Sequence, residues 1–162
     1  DCALVYLGAG SVPAGVAVRA GRELAEALGC DVYVAGVPEA TQVSGVHTVT
    51  CAPRFDFSEL LPRAQVFVHH GGQNSMMDAL SHEVPQLIVP GRVFDRRFNA
   101  EAVESARCGL TVHTPKPALI ARAARRLVDE PALTSGIRGL REELSSLGGA
   151  ARIVREVETL VS

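Results

Sequence analysis

The chain has 162 residues, of which 47% are apolar types and 21% are charged, and its formal net charge is −2. This length is enough for one compact domain with a sizeable core. The small net charge gives no reason to expect nucleic acid or an anionic membrane surface as the main partner. No apolar run approaches the ~20 residues that a membrane-spanning helix needs, so no membrane span is expected.

The start of the chain and its cysteines bear on where the protein works. Residues 1–7 hold no initiator Met and no basic region before their apolar stretch. They therefore do not resemble a signal peptide, and the sequence is expected to begin inside a longer protein. The cysteines are far apart, with no C-x-x-C pair and no zinc-like spacing: Cys2, Cys30, Cys51 and Cys108. Free thiols in a reducing, cytoplasmic setting are expected, and no metal site.

Short apolar runs alternate with helical patterns through most of the chain. Six runs predict strands, at residues 3–7, 31–35, 46–51, 64–69, 86–89 and 110–112. The patterns between them predict helices at 12–28 (ended by Gly29), 74–81 and 95–107, and one helical turn at 57–61. On the helix at 95–107, one side carries Phe98, Ala102, Val103 and Ala106. Three further apolar stripes with helical period follow, at 119–128, 133–144 and 150–161.

Strands that alternate with helices predict a parallel sheet covered on both faces, and near-continuous apolar strands agree with this. We therefore predict an α/β fold, a Rossmann-like doubly wound parallel sheet of about six strands with extra C-terminal helices. The common strand order 3-2-1-4-5-6 is assumed. No linker or repeat divides the chain, so residues 1–162 are expected to form a single domain. In this order a ligand would bind at the carboxyl ends of strands one and four.

Glycine-bearing loops follow these two strands, at residues 8–11 (GAGS) and 69–75 (HHGGQNS). Each loop opens onto a helix N-terminus, whose free amides and positive dipole suit phosphate, and two such loops suggest a diphosphate. Alone, the first loop is equally well explained as a tight turn without a ligand. Pro13 stands at the third glycine position of the dinucleotide fingerprint, and no acidic residue follows the second strand. A dehydrogenase-type dinucleotide domain is therefore disfavoured.

The second loop belongs to a longer signature. Residues 66–100 read VFVHHGGQNSMMDALSHEVPQLIVPGRVFDRRFNA. This stretch closely resembles the donor-binding signature of nucleotide-sugar-dependent glycosyltransferases with two Rossmann domains, the GT-B type. It is most similar to the bacterial enzymes that decorate antibiotics and other natural products. Their pattern is roughly H-G-G-x-x-[ST]-x-x-E-[AS]-L-x-x-G-V-P-x-x-x-x-P-x-x-x-D-Q-x-x-N-A. More loosely, the resemblance extends over the first strand and the final helices, and implies that the chain is the C-terminal, donor-binding half of such an enzyme.

The resemblance implies a nucleotide-sugar site made of Ser11, Pro53, Arg54, His70, Gly71, Gly72, Asn74, Ser75, Asp78, Asp95 and Arg96. His70 would contact the diphosphate next to the sugar. Gly72, Asn74 and Ser75 would hold phosphate oxygens, and Ser11 would touch the diphosphate from the other loop. An imidazole can donate a hydrogen bond to phosphate.

The remaining positions correspond to the two ends of the donor. Asp78 stands where the family has a Glu that binds ribose hydroxyls. Asp95 and Arg96 stand where an Asp/Glu-Gln pair usually contacts sugar hydroxyls, and carboxylates suit hydroxyl donors. Residues 51–54 (CAPR) lie where the family often has an aromatic-x-Pro-Gln segment against the base.

Three residues depart from the family pattern. Arg96 replaces the usual Gln, and its donor-only guanidinium would favour a sugar that carries acceptors or a negative group. Glu83 replaces the Gly of G-V-P, so the backbone at this position is expected to have a conformation that a non-glycine residue can adopt. Cys51 replaces a base-stacking Trp, which would leave a smaller platform for the base.

Structural roles without a ligand compete with several of these assignments. Ser75 and Asp78 also fit a capping box, and Asp95 also fits a helix cap. His70 could be an ordinary loop histidine, although its place directly before two glycines favours ligand binding. Because side chains alternate along a strand, His69 is expected to be structural and to point away from the crevice.

The resemblance implies transfer of a sugar, with inversion, from a thymidine or uridine diphosphate donor to the hydroxyl of a small-molecule acceptor. In the family the general base is a His in the N-terminal half, so no catalytic residue is expected here and the isolated chain is expected to be inactive. The implied partners are the nucleotide sugar, the acceptor and the N-terminal domain, with no metal or other cofactor. The alternative is a non-catalytic nucleotide-sugar-binding partner or regulatory module.

Overall fold

The central feature of the fold is one seven-stranded sheet, seen in a computed structural model that describes residues 1–8 and 12–161. Its strands are β1 (Cys2–Tyr6), β2 (Asp31–Ala35), β3 (Thr41–Val43), β4 (Val49–Ala52), β5 (Ala64–His69), β6 (Gln86–Ile88) and β7 (Gly109–Thr111). Their order across the sheet is β3-β4-β2-β1-β5-β6-β7. All pairings are parallel except that of β3 with β4.

All six predicted strands form, and their order β4-β2-β1-β5-β6-β7 is the assumed 3-2-1-4-5-6. The additional strand, β3, was not predicted, because three residues carry too little periodicity to stand out from a loop. The strand predicted to begin at residue 46 begins only at Val49. Val46 is 96% exposed and belongs to the connection between β3 and β4.

Seven α-helices lie among the residues that the structure describes: α1 (Ala14–Leu28), α2 (Phe57–Leu60), α3 (Gln73–Ser81), α4 (Phe94–Ser105), α5 (Pro117–Asp129), α6 (Ile137–Ser146) and α7 (Gly149–Val161). As predicted, Gly29 ends α1 in the left-handed conformation, with φ 66° and its N–H bonded to the Ala25 carbonyl. The extra C-terminal helices are also confirmed. Within this part of the chain, none of the helices is long and apolar enough to cross a membrane.

The two faces of the sheet are covered by different helices. Helices α1 and α5 pack against one face, where Leu24, Ile120 and Leu127 are fully or almost fully buried. Burying a Leu or Ile side chain stabilises the fold by about 1.5–3 kcal/mol. On the other face, α2 and α3 cover Leu4 and Phe67. Because helices cover both faces of the sheet, we expect a ligand site where the strands end.

The cysteines lie in the interior. All four are buried and free, as the sequence predicted for its thiols. Burial raises the pKa of the Cys30 thiol to about 11, so this group stays protonated and unreactive at neutral pH. Cys51 is 1% exposed within the core beneath α1, which makes it part of the packing.

The predicted inner side of α4 was partly wrong. Ala100 and Val103 are buried, but Ala102 is exposed and Phe98 is 65% exposed. The error came from assigning the aromatic residue to the core by type. The helix instead turns its small and β-branched residues inward, and Phe98 faces solvent.

The short connection between α3 and β6 contains a strained residue. Glu83 has φ 57°, in the left-handed region that non-glycine residues rarely adopt. Its carboxylate accepts a hydrogen bond from Arg141 Nη1 at 2.7 Å, and Arg138 Nε lies 3.9 Å away. The sequence led us to expect a backbone conformation open to a non-glycine residue; Glu83 instead adopts the left-handed one, and the ion pair with α6 helps hold the residue in it.

We expect Glu83→Val to lower the free energy of unfolding by about 1–2 kcal/mol, because a β-branched side chain fits this backbone poorly and the ion pair is lost. Glu83→Gly should change it by less than about 1 kcal/mol, since relief of strain offsets the added freedom of the unfolded chain. Urea unfolding of both variants measures the difference. Equal losses in the two variants would show that the ion pair, and not the backbone, dominates.

Candidate functional site

Two loops meet at the carboxyl edge of the sheet, where β1 and β5 lie side by side. Gly8 follows β1, and residues 70–72 follow β5. The His70 N–H donates to the Tyr6 carbonyl at 3.2 Å, which ties the second loop to the end of β1. This is the point where the strand order reverses, the usual ligand crevice of such sheets.

The His70 ring is held between two glycines. A Cβ added to Gly8 would lie 3.3 Å from the ring, and one added to Gly72 would lie 2.5 Å from Nε2. The ring also stands edge-on to Tyr6, with centroids 5.2 Å apart. Nδ1 is 3.4 Å from the Tyr6 carbonyl. A carbonyl only accepts, so Nδ1 is the donor and Nε2 is the atom left for a ligand.

The charge of His70 depends on its surroundings. Burial lowers the pKa of this imidazole below its usual value, and the positive charge of Arg96 lowers it further, while the bond to the Tyr6 carbonyl opposes both. In the free chain His70 is therefore mainly neutral at pH 7. An anion placed against Nε2 would reverse this balance, since a negative charge favours the imidazolium.

Helix α3 begins directly after the glycines. Its N-cap, Gly72, provides no side-chain cap, so the first-turn amides of Gln73, Asn74 and Ser75 have no acceptor within the helix. Such amides, together with the helix dipole, form an anion-binding site. The capping-box interpretation was wrong, because Ser75 lies inside the first turn and does not occupy the cap position.

Helix α4 points a second N-terminus at the same place. It begins at Phe94, after the N-cap Val93, with Asp95 and Arg96 in its first turn. The interpretation of Asp95 as the helix cap was therefore wrong. Between the starts of α3 and α4 lies a cleft of about 690 Å³, lined by His70, Gly71, Gly72, Gln73, Met76, Val93, Phe94, Asp95, Arg96, Phe98 and Asn99.

The cleft brings together five of the residues predicted for the site: His70, Gly71, Gly72, Asp95 and Arg96. Three others lie on α3. Ser75 is 7% exposed, whereas Asn74 and Asp78 are exposed and, being four residues apart, lie on the same side of the helix.

The other predicted positions lie farther along the edge. Pro53 and Arg54 are exposed directly after β4, three strand spacings from β5 or about 14 Å. Ser11 lies outside the described residues. Cys51 was expected to form a small platform for a base, but its side chain is in the core and cannot do so.

Several cleft residues were missed from sequence. Phe94 is 80% exposed and Phe98 65%, and both line the cleft wall, whereas aromatic residues in a helical pattern normally predict core. Asn99 donates to the Gly71 carbonyl at 2.8 Å. Its only signal was its place in the N-A that ends the family pattern. Among the residues that the structure covers, no group of three or more His, Cys, Asp or Glu side chains is arranged to hold a metal.

His69, by contrast, is fully buried, and the prediction that it is structural is confirmed. Burial lowers the pKa of its imidazole to about 3, although a hydrogen bond with Gln86 opposes the shift. A folded-state pKa below the unfolded value near 6.5 means that the unfolded chain binds more protons between these two pKa values. The contribution of His69 to the free energy of unfolding is therefore fully present above about pH 6.5 and is lost progressively as the pH falls towards 3.

We expect the free energy of unfolding to decrease as the pH falls from about 6.5 towards 3, because the buried His69 resists protonation. One such group contributes a slope of up to about 1.4 kcal/mol per pH unit. Urea unfolding at several pH values measures it. In His69→Gln the unfolded chain should bind one proton fewer in this pH range, so the slope of stability against pH should become smaller. His113→Gln, at an exposed loop position, is the control and should leave the slope unchanged. Parallel curves for His69→Gln and the wild type would contradict this account.

The geometry defines a class of protein. A doubly covered parallel sheet, a glycine loop at its switch point and two helix N-termini beside one cleft describe a Rossmann-like α/β domain. Residues 31–160 match the family described as erythromycin biosynthesis protein CIII-like, C-terminal domain. The chain belongs to this family.

Curated relatives are named as glycosyltransferases. The chain is 32% identical over 148 residues to aclacinomycin-T 2-deoxy-L-fucose transferase of Streptomyces galilaeus, covering 86% of this chain and 33% of the relative. It is 27% identical over 167 residues to 10-deoxymethynolide desosaminyltransferase of Streptomyces venezuelae, covering 99% of this chain and 39% of the relative. The chain thus spans well under half the length of either protein.

Solved structures agree on the fold. The glycotransferase of kitacinnamycin superposes with a TM-score of 0.84 at 24% identity, over 98% of this chain and 42% of that one. The Streptomyces sp. SF2575 glycosyltransferase SsfS6, solved with thymidine diphosphate, superposes with a TM-score of 0.78 at 27% identity, over 98% of this chain and 41% of that one. The fold is that of one domain of the GT-B glycosyltransferases.

Proposed function

We propose that this chain binds the donor of a glycosyltransferase, a nucleoside diphosphate sugar, and that the full-length protein transfers the sugar to a small-molecule hydroxyl with inversion. The observation that carries the proposal is the junction of the β5 loop with α3. There the His70 ring lines the cleft beside the start of α3, whose first three amides have no acceptor within the helix. Membership of the family and the thymidine diphosphate bound to SsfS6 support this assignment.

In this proposal, different predicted residues bind the base, the ribose, the diphosphate and the sugar of the nucleotide sugar. The base would lie against Pro53 and Arg54 after β4, and the ribose hydroxyls would reach Asp78. The diphosphate would occupy the first turn of α3, and the sugar the cleft beside Asp95. The separation of about 14 Å between the β4 and β5 ends of the edge suits an extended ligand whose base and phosphates bind at different strands.

The chemistry expected of this half is stabilisation of the leaving group. When the acceptor oxygen attacks the anomeric carbon, the bond from that carbon to the β-phosphate oxygen breaks and its electron pair stays on the diphosphate. The His70 imidazolium and the amides of Asn74 and Ser75 would stabilise that charge, because they are already oriented before the reaction. The general base that removes the acceptor proton is assigned to the N-terminal half, so no catalytic residue and no metal is assigned here.

Arg96 bears on the choice of sugar. Its first-turn position in α4 and its positive charge make the cleft electropositive near His70. Asp95 is the acidic residue in the same turn. A guanidinium that only donates hydrogen bonds would favour a sugar whose substituents accept them.

The organisation proposed for the whole protein follows from the same resemblance. Residues 1–162 would form a single domain, and a preceding domain would complete the acceptor pocket. The protein would work in the cytoplasm, without a metal or other cofactor.

Calorimetric titration with thymidine diphosphate and uridine diphosphate tests the proposal. We expect saturable binding of thymidine diphosphate, with weaker binding of the uridine form, as the natural-product relatives suggest. Thymidine without phosphates is the control, and it should bind far more weakly because the α3 amides would have no anion. No binding of either diphosphate at millimolar concentration, in both the chain and the full-length protein, would sink the proposal. Binding by a full-length protein that transfers no sugar would favour the regulatory alternative.

A further inference from the structure

Both backbone polar groups of Gly71 are bonded to side chains. Its N–H donates to Nδ1 of His69 at 3.1 Å, and its carbonyl accepts from Nδ2 of Asn99 at 2.8 Å. His69 ends β5 and Asn99 lies on α4, so the turn is held from the sheet and from a helix. Gly71 has φ 84°, and a Cβ there would lie 2.9 Å from Ile88 Cγ2, which leaves the turn little room to move.

The bond from Gly71 requires one tautomer of His69. Nδ1 can accept from the Gly71 N–H only if it carries no proton, so the proton of the neutral ring is on Nε2. Nε2 lies 3.0 Å from Oε1 of Gln86, a side chain that is 1% exposed. Gln86 therefore accepts from Nε2–H and stabilises the tautomer that can bind Gly71.

We infer that His69 and Asn99 act as positioning residues that hold Gly71 in one conformation, and that Gln86 makes this possible by selecting the tautomer of His69. The three side chains are named here the Gly71 clamp. Neither the family match nor the resemblance assigns a role to any of them. The clamp fixes where the following residues point, since the direction of Gly72 and of the first α3 amides is set by the turn at Gly71.

The effect of the clamp on a ligand rests on the proposed function. None of its contacts with Gly71 uses an atom that would touch the diphosphate. Gly71 N–H is directed to the buried His69, whereas the neighbouring His70 ring lines the cleft, and α3 begins directly after Gly72. Loosening the clamp should therefore weaken binding by misplacing these groups.

Nuclear magnetic resonance of the ¹⁵N-labelled chain tests the clamp directly. We expect His69 to be the Nε2–H tautomer and to show a scalar coupling across the hydrogen bond between its Nδ1 and the Gly71 nitrogen. Gln86→Met has a similar size but offers only a weak thioether acceptor to Nε2–H, so the coupling should weaken or vanish. Thymidine diphosphate should then bind about tenfold more weakly, because the misplaced loop loses binding free energy equal to about one hydrogen bond. Asn99→Leu should weaken binding similarly.

Val68→Ala is the matched control. Val68 is buried on the same strand, but its side chain points to the opposite face from that of His69. The variant should lose stability while keeping both the coupling and the affinity, which separates positioning from general destabilisation. The inference is overturned if wild-type His69 is the Nδ1–H tautomer, or if Gln86→Met keeps the coupling and the affinity. If the wild-type chain shows the coupling but neither it nor the full-length protein binds nucleotide, the clamp is supported and the proposed function is contradicted.

Discussion

His70→Ala is expected to weaken the binding of thymidine diphosphate by about tenfold to a hundredfold, the range for a lost hydrogen bond to a charged group. The ring is the side chain that β1, Gly8 and Gly72 together hold at the crevice. Its loss should leave stability nearly unchanged, because the imidazole is only half-buried. Calorimetric titration of wild type and variant measures the ratio of their dissociation constants.

The loss of affinity caused by His70→Ala should depend on pH in a defined direction. Burial and Arg96 hold the pKa of His70 below its ordinary value in the free chain, and a bound diphosphate would raise it. Between these two pKa values binding takes up a proton, so affinity falls as pH rises, by at most tenfold per pH unit. Above the pKa of the bound state the curve flattens. The nucleotide's own phosphate titration affects both proteins, so the ratio of wild type to His70→Ala isolates the histidine.

A second variant moves the ring without removing it. In Gly72→Ala the new Cβ would lie 2.5 Å from His70 Nε2, so the imidazole must shift. Binding should weaken to a similar extent, whereas Gly139→Ala, where an added Cβ meets nothing within 4 Å, should have no effect. If both His70→Ala and Gly72→Ala bind as tightly as the wild type, His70 does not contact the diphosphate.

Gly71→Ala is expected to lower the free energy of unfolding by about 2–5 kcal/mol and to remove measurable nucleotide binding. The backbone is in the left-handed region with φ 84°, which costs a non-glycine residue about 1–2 kcal/mol. The added Cβ would also lie 2.9 Å from Ile88 Cγ2 and 3.0 Å from the Arg96 carbonyl oxygen, and such overpacking costs about 1–3 kcal/mol. Urea unfolding and titration of the same sample measure both effects.

Gly91 provides the matched control for Gly71. It too has a positive φ, 64°, but an added Cβ meets no atom within 4 Å. Gly91→Ala should therefore show only the backbone strain, about 1–2 kcal/mol, and keep nucleotide binding. A loss in Gly71→Ala no larger than that in Gly91→Ala would mean that β6 and α4 yield to the new methyl group, and that the turn is not tightly enclosed.

Sequence patterns predicted the sheet well because each central strand is a nearly continuous apolar run. Such runs occur where helices cover both faces, and β1 and β5 are examples. The left-handed conformation at Glu83 was not predicted, because a non-glycine residue at this position favoured an ordinary backbone. Strand β3 was not predicted either, since three residues at the edge of the sheet carry no distinctive hydrophobic period.

The candidate site was predicted in its location more than in its contacts. The pattern H-G-G marked the loop, but it could not indicate that His70 Nδ1 hydrogen-bonds to the Tyr6 carbonyl or that Asn99 Nδ2 donates to the Gly71 carbonyl. Such bonds join residues that are distant in sequence, and their geometry depends on how the elements pack. Residue type also misled at Phe98, because an aromatic residue contributes to the core in most helices and lines an open cleft in this one.

The most direct test of the central claim is to map where thymidine diphosphate binds. The ¹⁵N-labelled chain would be titrated with the nucleotide while every resolved amide is followed. We predict saturable shifts that concentrate at residues 70–75 and around Arg54, at the carboxyl edge of the sheet, and that need about tenfold to a hundredfold more nucleotide in His70→Ala. Shifts confined to the groove beside Arg22 and His47, on α1 and the β3–β4 connection, would contradict the claim, as would no shifts at millimolar nucleotide in either the chain or the full-length protein.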